Sequence, residues 1–316
     1  MTRDTTPTGG DRPRTRRRGT DRPRNRTAVR RALRREIPST VGVLADTHDF
    51  DAMRGYRTFT FTDHPDYLRH IEDLLTTVAD HHLLITVVLF DPEEYAAYCA
   101  DEGIDPDTPL SRSRYTAVAA ARGGAVPYTG QPLETLLPQL VHHAVREATW
   151  EYAATLLAAI GNCADCGQDI GKAAFDRASH LLTRLLQTAG PGSHHLVCSV
   201  AAPEEQLLAT LTATGDTTTP TARLDALECT EFVTVLAVAV ALDRPGGVVL
   251  RTRTPEGPDR LHGWTVHRSR FVPLTEAEVF SAYCTDARDG GPVPPEPGAE
   301  YRAGFDIPTD PPDTHH

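Results

Sequence analysis

The stretch LLITVVLF (Leu83–Phe90) decides the fold of the first half of the chain. It is apolar almost throughout and rich in β-branched residues, a composition typical of a strand that is covered on both faces. Asp91 and Pro92 follow at once and predict a helix start, because Asp caps a first turn and Pro fits into it. This helix is predicted to end before Gly103. The stretch therefore predicts the central strand of an α/β layer and the helix that follows it.

The residues on the amino-terminal side complete this layer. The apolar run Val41–Ala45 predicts one strand, and the alternation of Phe59 and Phe61 with threonine predicts another. A helix is predicted from His64 to about residue 80, since its apolar residues share one face. The order β-β-α-β-α predicts an α/β layer over residues 37–131.

Residues 132–190 predict two helices. Apolar residues recur with a period of about 3.6 residues after Pro138 until Gly161, and again until Gly190, where glycine is expected just past a helix end. Because the connection between the two helices is short, they are predicted to pack as an antiparallel pair.

The carboxy-terminal part predicts an antiparallel sheet over residues 191–286. Strand patterns occur in HHLVCSVA, QLLATLTA, FVTVLAVAVAL, GGVVLRTRT and LHGWTVHR. A closing helix follows, with Thr275 as cap and Glu278 as its capping-box partner. Residues 287–316 are rich in proline and are predicted to form an extended tail. The predicted class is α+β, with an N-terminal α/β layer, a central antiparallel helix pair and a C-terminal antiparallel β-meander with a closing helix.

The first 36 residues differ from the rest of the chain in charge. They contain 13 arginines and four acidic residues, a net charge of +9, whereas the whole chain carries −11, so residues 37–316 carry −20. Residues 10–27 of this tail have almost no apolar side chains, and the tail is predicted to be disordered. It could bind the phosphates of DNA or RNA, bind an acidic protein or the acidic body of this chain, or have no function. The predicted nucleic-acid-binding residues are Arg12, Arg14, Arg16, Arg17, Arg18, Arg22, Arg24, Arg26, Arg30, Arg31, Arg34 and Arg35.

The overall composition is that of a soluble globular protein, with 40% hydrophobic and 24% charged residues. The first 36 residues lack the apolar core of a secretory signal, and no run reaches the roughly 18 to 20 apolar residues that cross a bilayer. The six cysteines do not form the dense framework of a small secreted domain, so reduced thiols are expected. We therefore expect a cytoplasmic protein with no membrane partner.

The stretch VGVLADTHDF (Val41–Phe50) carries the first candidate site. A strand that ends in Asp-x-His resembles the first motif of the calcineurin-like metallophosphoesterases. The resemblance implies a pair of metal ions that polarise a phosphate ester and activate a water, with Asp46 and His48 as ligands. The pair Gly161–Asn162 resembles a later motif of that family, which would make Asn162 a further ligand.

The chain also departs from that family's pattern. No Gly-Asp pair, which would supply the carboxylate that bridges the metals, occurs between His48 and Gly161, and no Gly-His-x-His tetrapeptide occurs at all. In addition, Gly161 follows a predicted helix, where glycine is expected as a cap, whereas the family's Gly-Asn element follows a strand. The resemblance is therefore confined to short motifs.

Cys163 and Cys166 form the second candidate site, because a Cys-x-x-Cys spacing resembles half of a zinc knuckle. A further ligand could come from His194, His195 or Cys198. These lie on a predicted strand, where residues four apart are about 13 Å distant, so the group could supply one ligand but not two. The alternatives are a redox-active pair ahead of a helix, or inert thiols in a helix-helix turn.

The leading functional hypothesis from the sequence is an accessory or regulatory protein that is not an enzyme. It would bind nucleic acid through residues 1–36 and a protein partner through its acidic body. The alternative is a metal-dependent, phosphoesterase-like hydrolase that uses Asp46 and His48. A third hypothesis is a sensory module whose β-domain encloses a small ligand. The sequence does not specify a cofactor.

Overall fold

The computed structural model describes residues 39–80, 84–216, 219–253, 257–286 and 290–308. The described residues form two compact units, which divide between Leu140 and Val141, and each has its own hydrophobic core. The predicted α+β class is confirmed, since helices accompany a small mixed sheet in one unit and a larger, mainly antiparallel sheet in the other. The predicted disordered tail, residues 1–36, and residues 309–316 lie outside the described residues.

The N-terminal unit is a three-stranded sheet with helices packed against it. Its described elements are β1 (Ser39–Val43), α1 (Thr47–Met53), α2 (His64–Asp80), β2 (Ile85–Leu89), α3 (Pro92–Glu102), α4 (Pro109–Arg122) and β3 (Val126–Pro127). A long helix, α5 (Leu133–Ile160), begins in this unit and continues into the second.

Strand β2 is the centre of this sheet, as the sequence predicts. It pairs in parallel with β1 and antiparallel with β3. Val87 and Val88 point to opposite faces, and both are buried, so both faces of β2 are covered. The helix start is also as predicted, because the Asp91 carboxylate accepts hydrogen bonds from the backbone N–H groups of Glu93 and Glu94.

The strand predicted around Phe59 and Phe61 is wrong, since residues 56–63 contain no strand. Their rings instead pack as a cluster, with Phe59 5.2 Å from Phe61 and Phe61 5.1 Å from Tyr67 between ring centroids. The backbone N–H of Thr58 donates to the Asp107 carboxylate at 2.8 Å. The two phenylalanines therefore belong to an aromatic cluster. The backbone N–H of Thr58 is bonded by the Asp107 side chain and not by a neighbouring strand.

The C-terminal unit is built around a seven-stranded sheet. Its order is β10-β8-β7-β4-β5-β6, and β9 also pairs with β8. All described pairs are antiparallel except β8 with β10. The elements are α6 (Ile170–Ala189), β4 (Gly192–Ala201), β5 (Gln206–Asp216), β6 (Thr219–Leu224), α7 (Ala226–Leu242), β7 (Gly246–Arg253), β8 (Asp259–His267), β9 (Arg270–Pro273), α8 (Glu276–Tyr283) and β10 (Ala299–Tyr301).

The segment FVTVLAVAVAL, predicted as a strand, is instead most of helix α7. Asp225 caps this helix by accepting from the N–H groups of Leu227 and Glu228. Every residue from Glu231 to Ala239 is buried, so the helix is enclosed on all sides. An apolar run with no polar face has no period that separates a buried strand from a buried helix, which explains the wrong prediction.

The predicted antiparallel packing of α5 against α6 needs correction. The two helices approach at Gly171, where a Cβ would lie 2.7 Å from the carbonyl oxygen of Leu157. Beyond this point the main helical neighbour of α6 is α7. Helix α5 also begins at Leu133 rather than after Pro138, because Leu133, Leu136 and Leu140 are all buried in the N-terminal core.

Two features close the fold. The closing helix has the predicted capping box between Thr275 and Glu278. In the predicted extended tail, Ala299–Tyr301 forms β10 beside β8.

Within the part of the chain that the structure describes, no helix is both long enough and apolar enough to span a bilayer.

Candidate functional site

The carboxyl end of β1 leads into the start of helix α1, where the predicted metal ligands lie. Asp46 caps α1, and its Oδ1 accepts from the backbone N–H of Asp49 at 2.9 Å. The Nδ1 atom of His48 lies 3.5 Å from Oδ1 of Asp49. The strand thus delivers a carboxylate, and the first helical turn adds an imidazole and a second carboxylate.

These three side chains form one group of potential metal ligands. One ligand atom each of Asp46, His48 and Asp49 lies within 4.8 Å of the others. The structure therefore brings together the two predicted ligands, Asp46 and His48, and adds Asp49, which the sequence analysis missed. The signal that could have found Asp49 is its position three residues after a helix cap, which returns a side chain to the face of the cap.

The electrostatics of this group favour a cation. Burial raises the pKa of Asp49 above its usual value, and the neighbouring Asp46 carboxylate adds to this effect. His48 opposes the rise by hydrogen bonding to Asp49, and Asp91, which follows β2, raises the pKa further. Both parallel strands therefore contribute negative charge at the same edge of the sheet.

The group contains three ligand atoms, a number typical of a site for one ion rather than two. A divalent ion bound at roughly 2.0–2.2 Å by nitrogen and oxygen needs ligand atoms about 3–4 Å apart, which small side-chain rotations within this group would reach. Three protein ligands leave coordination positions for water or substrate. Among the described residues there is no second group of three potential ligands, so nothing there supplies the two-metal site that the sequence resemblance implies. Asn162 lies in the C-terminal unit, where it forms an isolated β-bridge with Asp169.

Cys163 and Cys166 lie in the tight loop between α5 and α6. The N–H of Cys163 donates to the carbonyl of Gln168 at 2.8 Å, and the N–H of Gly167 donates to the carbonyl of Cys163 at 2.8 Å. Gly167 has a φ of 72°, which only glycine adopts readily. Hydrogen bonds from the backbone N–H groups of Cys166 and Asp165 lower the pKa of the Cys163 thiol.

This loop holds two thiols together but supplies no complete metal site. In the described ranges, no third potential ligand accompanies Cys163 and Cys166. His194 is buried in the sheet, where its ring nitrogens contact Thr252 and the carbonyl of Gly190, and Cys198 is buried in the core. The zinc and redox interpretations of this pair stay predictions.

The predicted nucleic-acid-binding arginines, Arg12 to Arg35, lie outside the residues that the structure describes. The prediction for them therefore depends on the sequence alone.

One comparison with known proteins found a match, and it covers the region that contains the Asp46 group. Residues 28–131 are similar to a family described as Domain of unknown function (DUF8829). The matched region contains β1 to β3 and all three residues of the Asp46 group. No curated protein and no solved structure matches the chain.

Proposed function

We propose that the N-terminal unit binds one divalent metal ion through Asp46, His48 and Asp49, and that the protein is a metal-dependent hydrolase. The observation that carries the proposal is the approach of three ligand atoms to within 4.8 Å at the end of β1. The Asp-x-His motif and the negative charge of Asp46, Asp49 and Asp91 support it.

Each residue of the group would have its own role in holding a metal ion. A bound divalent ion supplies Lewis acidity and lowers the pKa of a coordinated water toward neutrality. Asp46 is held by its capping hydrogen bond and would fix the position of the ion, while the exposed His48 can turn to complete the set. Asp49 joins both, since it touches His48 and shares a helical turn with Asp46.

Metal content and affinity test this proposal. The full chain is purified without chelator, analysed for Mn, Zn and Fe, and titrated with Mn²⁺ and Zn²⁺ by calorimetry. Asp46→Asn keeps the helix cap, because Asn caps as well as Asp, yet removes the charge, so it isolates the ligand role. We expect Asp46→Asn and Asp49→Asn to weaken binding at least about tenfold and to abolish turnover of a generic phosphodiester.

The matched control is Asp66→Asn, an acidic residue in the first turn of α2 that is not in the group. The Asp66→Asn variant should bind Mn²⁺ and Zn²⁺ with the same affinity as the wild-type protein. A preparation that binds neither ion, or equal affinity in Asp46→Asn and wild type, contradicts the proposal. Metal binding without turnover of the phosphodiester would contradict the hydrolase activity and would agree with a metal-binding accessory protein.

A second candidate function is nucleic-acid binding by residues 1–36, with the acidic body free to contact a protein partner. The observation that favours it is the division of charge between +9 in this tail and −20 in the remainder. Because the body repels phosphates, retention on DNA or RNA should fall steeply with salt and should disappear when residues 1–36 are deleted. Unchanged retention of the shortened chain contradicts it.

We also propose that the protein works in the cytoplasm. The support is that all six cysteines are unpaired, including Cys163 and Cys166 in one loop, which fits a reducing compartment.

A further inference from the structure

One face of the seven-stranded sheet is open and carries a cavity. Leu207 of β5 is buried, whereas Leu208 is 52% exposed, so the helices cover one face of this strand and leave the other free. On the open face lies a cavity of about 460 Å³. Its lining residues include Ser193, His195, Thr212, Arg251, Arg253 and Glu296. The cavity lies wholly within the C-terminal unit.

Strand register brings the polar residues of this cavity together. Thr212, His195 and Arg251 are direct neighbours across β5, β4 and β7. In the next row of the same face, Ser193 stands opposite Arg253. Because opposed residues on adjacent strands have Cβ atoms about 5 Å apart, two hydroxyls, one imidazole and two guanidinium groups meet in one small area.

The strands that form the cavity are fixed by buried residues, one of which, His194, also lines the cavity. His194 is only 2% exposed, and its two ring nitrogens contact Thr252 Oγ1 at 3.0 Å and the carbonyl of Gly190 at 2.9 Å. Leu196 and Leu250, which are also opposed across β4 and β7, are fully buried. The backbone that presents Ser193 and His195 is therefore preformed.

The two arginines of the cavity have different surroundings. Arg251 donates from Nε to Asp259 at 2.7 Å and from both terminal nitrogens to Glu296 at 2.9 and 2.8 Å. The two carboxylates exceed its single positive charge by one, so Arg251 forms a fixed wall of the cavity and offers a ligand no positive charge. Arg253 is exposed and makes no ion pair with any residue that the structure describes. Its guanidinium is the positive charge that a ligand would meet.

We infer that this cavity binds the phosphate group of a small organic phosphate monoester. The donors that surround it are the fork of Arg253, the hydroxyls of Ser193 and Thr212 and the ring of His195. A phosphate has three terminal oxygens and can accept all of these bonds, whereas a carboxylate has only two oxygens. The volume exceeds that of phosphate alone and lies in the range of small-molecule sites, about 300–1,000 Å³. The remaining space is bordered by Glu296, which can accept from hydroxyls on the body of the ligand.

Nuclear magnetic resonance on the full chain gives a local test. The probes are inorganic phosphate and ribose 5-phosphate, with ribose and malate for comparison. We expect both phosphates to shift the amide signals of Ser193, His195 and Thr212, with ribose 5-phosphate binding more tightly than phosphate alone. A local readout is needed because the Arg-rich tail can also attract phosphate.

The matched variants are Arg253→Ala and Arg260→Ala. Both side chains are exposed on the same sheet, but Arg260 does not line the cavity. Arg253→Ala should weaken ribose 5-phosphate at least about tenfold at these signals, and Arg260→Ala should leave it unchanged. Ser193→Ala gives an independent check with a smaller loss. Absent shifts at millimolar phosphate, equal effects of the two arginine variants, or malate binding as tight as ribose 5-phosphate would each overturn the assignment.

Discussion

The two sheets of this protein offer ligands different places. In the N-terminal unit the neighbouring residues Val87 and Val88 are both buried, whereas in the C-terminal unit Leu207 is buried and its neighbour Leu208 is exposed. A sheet covered on both faces leaves polar side chains only at its strand ends, where Asp46 lies. A sheet covered on one face leaves room on the other, where Arg253 lies. The packing of helices on a sheet thus determines where polar side chains of the sheet can contact a ligand.

The two cores also differ in composition. The N-terminal core contains Tyr67, Tyr95 and Tyr115, each with a hydrogen-bonded hydroxyl group. The C-terminal core is mostly leucine, valine and alanine, with Trp264 as its largest fully buried side chain. In the C-terminal unit we therefore expect the largest losses of unfolding free energy from substitutions that remove side-chain volume. In the N-terminal unit we expect the loss of a single hydrogen bond to have a greater effect on unfolding free energy than it has in the C-terminal unit.

The largest effect is expected for Trp264→Ala. Trp264 is fully buried, and its indole N–H donates to the carbonyl of Phe305 at 2.9 Å. Its removal should lower the free energy of unfolding by about 3–5 kcal/mol, measured by urea denaturation. Trp150→Ala, at a position 38% exposed, is the control and should cost well under half as much. Equal losses would show that the core is not organised around Trp264.

The next effect compares one ion pair from each unit. Arg146 of the C-terminal unit bonds to Glu231, which is only 9% exposed, through Nε at 2.8 Å. Arg146→Ala leaves this carboxylate buried without its partner and should cost about 3 kcal/mol in unfolding free energy.

Arg122 and Glu94 of the N-terminal unit form a pair with both side chains more than half exposed. Arg122→Ala should cost at most about 1 kcal/mol in the same denaturation experiment. A cost of Arg146→Ala no greater than that of Arg122→Ala would contradict the difference in burial.

Tyr67→Phe sharpens the claim about hydrogen bonds in the N-terminal core. The Tyr67 hydroxyl accepts from the backbone N–H of Leu44 at 3.1 Å, and its loss leaves that buried donor unsatisfied. The expected cost is about 1–3 kcal/mol by thermal or urea unfolding. Tyr98→Phe, at a half-buried position, should be near neutral. The same small change in both variants would refute a special role for the Tyr67 hydroxyl.

The smallest effect concerns pH. The Asp107 carboxylate accepts from the N–H groups of Thr58 and Arg57, and these bonds lower its pKa from 3.8 to about 2. Because the folded state binds this proton less readily, the carboxylate stabilises the fold above pH 4, and that contribution is lost as the pH falls from 4 to 2.

Carbon NMR of the side chain should place the midpoint of Asp107 near pH 2. In Asp107→Asn, unfolding should depend less on pH between 4 and 2 than in wild type. A midpoint near 4 would contradict these hydrogen bonds.

Sequence patterns predicted what short-range chemistry decides. The strand predicted within Leu83–Phe90, the cap at Asp91 and the capping box at Thr275 all depend on neighbours within four residues. The cap and the capping box are found as predicted, and the strand is found at Ile85–Leu89. The pair Asp46 and His48 was predicted as a site for the same reason.

What sequence patterns missed depends on distant packing. Helix α7 is enclosed on all sides, so its own residues show no period that separates a buried helix from a buried strand. Asp49 is an exception, since it lies only three residues after the cap Asp46 and was missed because no helix was predicted to start at Thr47. His195 and Arg251 meet only through the register of β4 and β7, which joins residues far apart in the chain.

The position of α7 along the chain also has a consequence for the order of assembly during synthesis. Its main neighbours, α6, β4 and β5, all precede it, so they can form a folding nucleus with it before the rest of the chain exists. The other edge of β4 stays unpaired until β7 has been synthesised, because β7 follows all of these elements in the chain. A nascent chain that ends near Leu242 would carry an unpaired strand edge at the centre of its future sheet, which is a template for aggregation. Translation speed just after α7 is therefore expected to influence the yield of soluble protein.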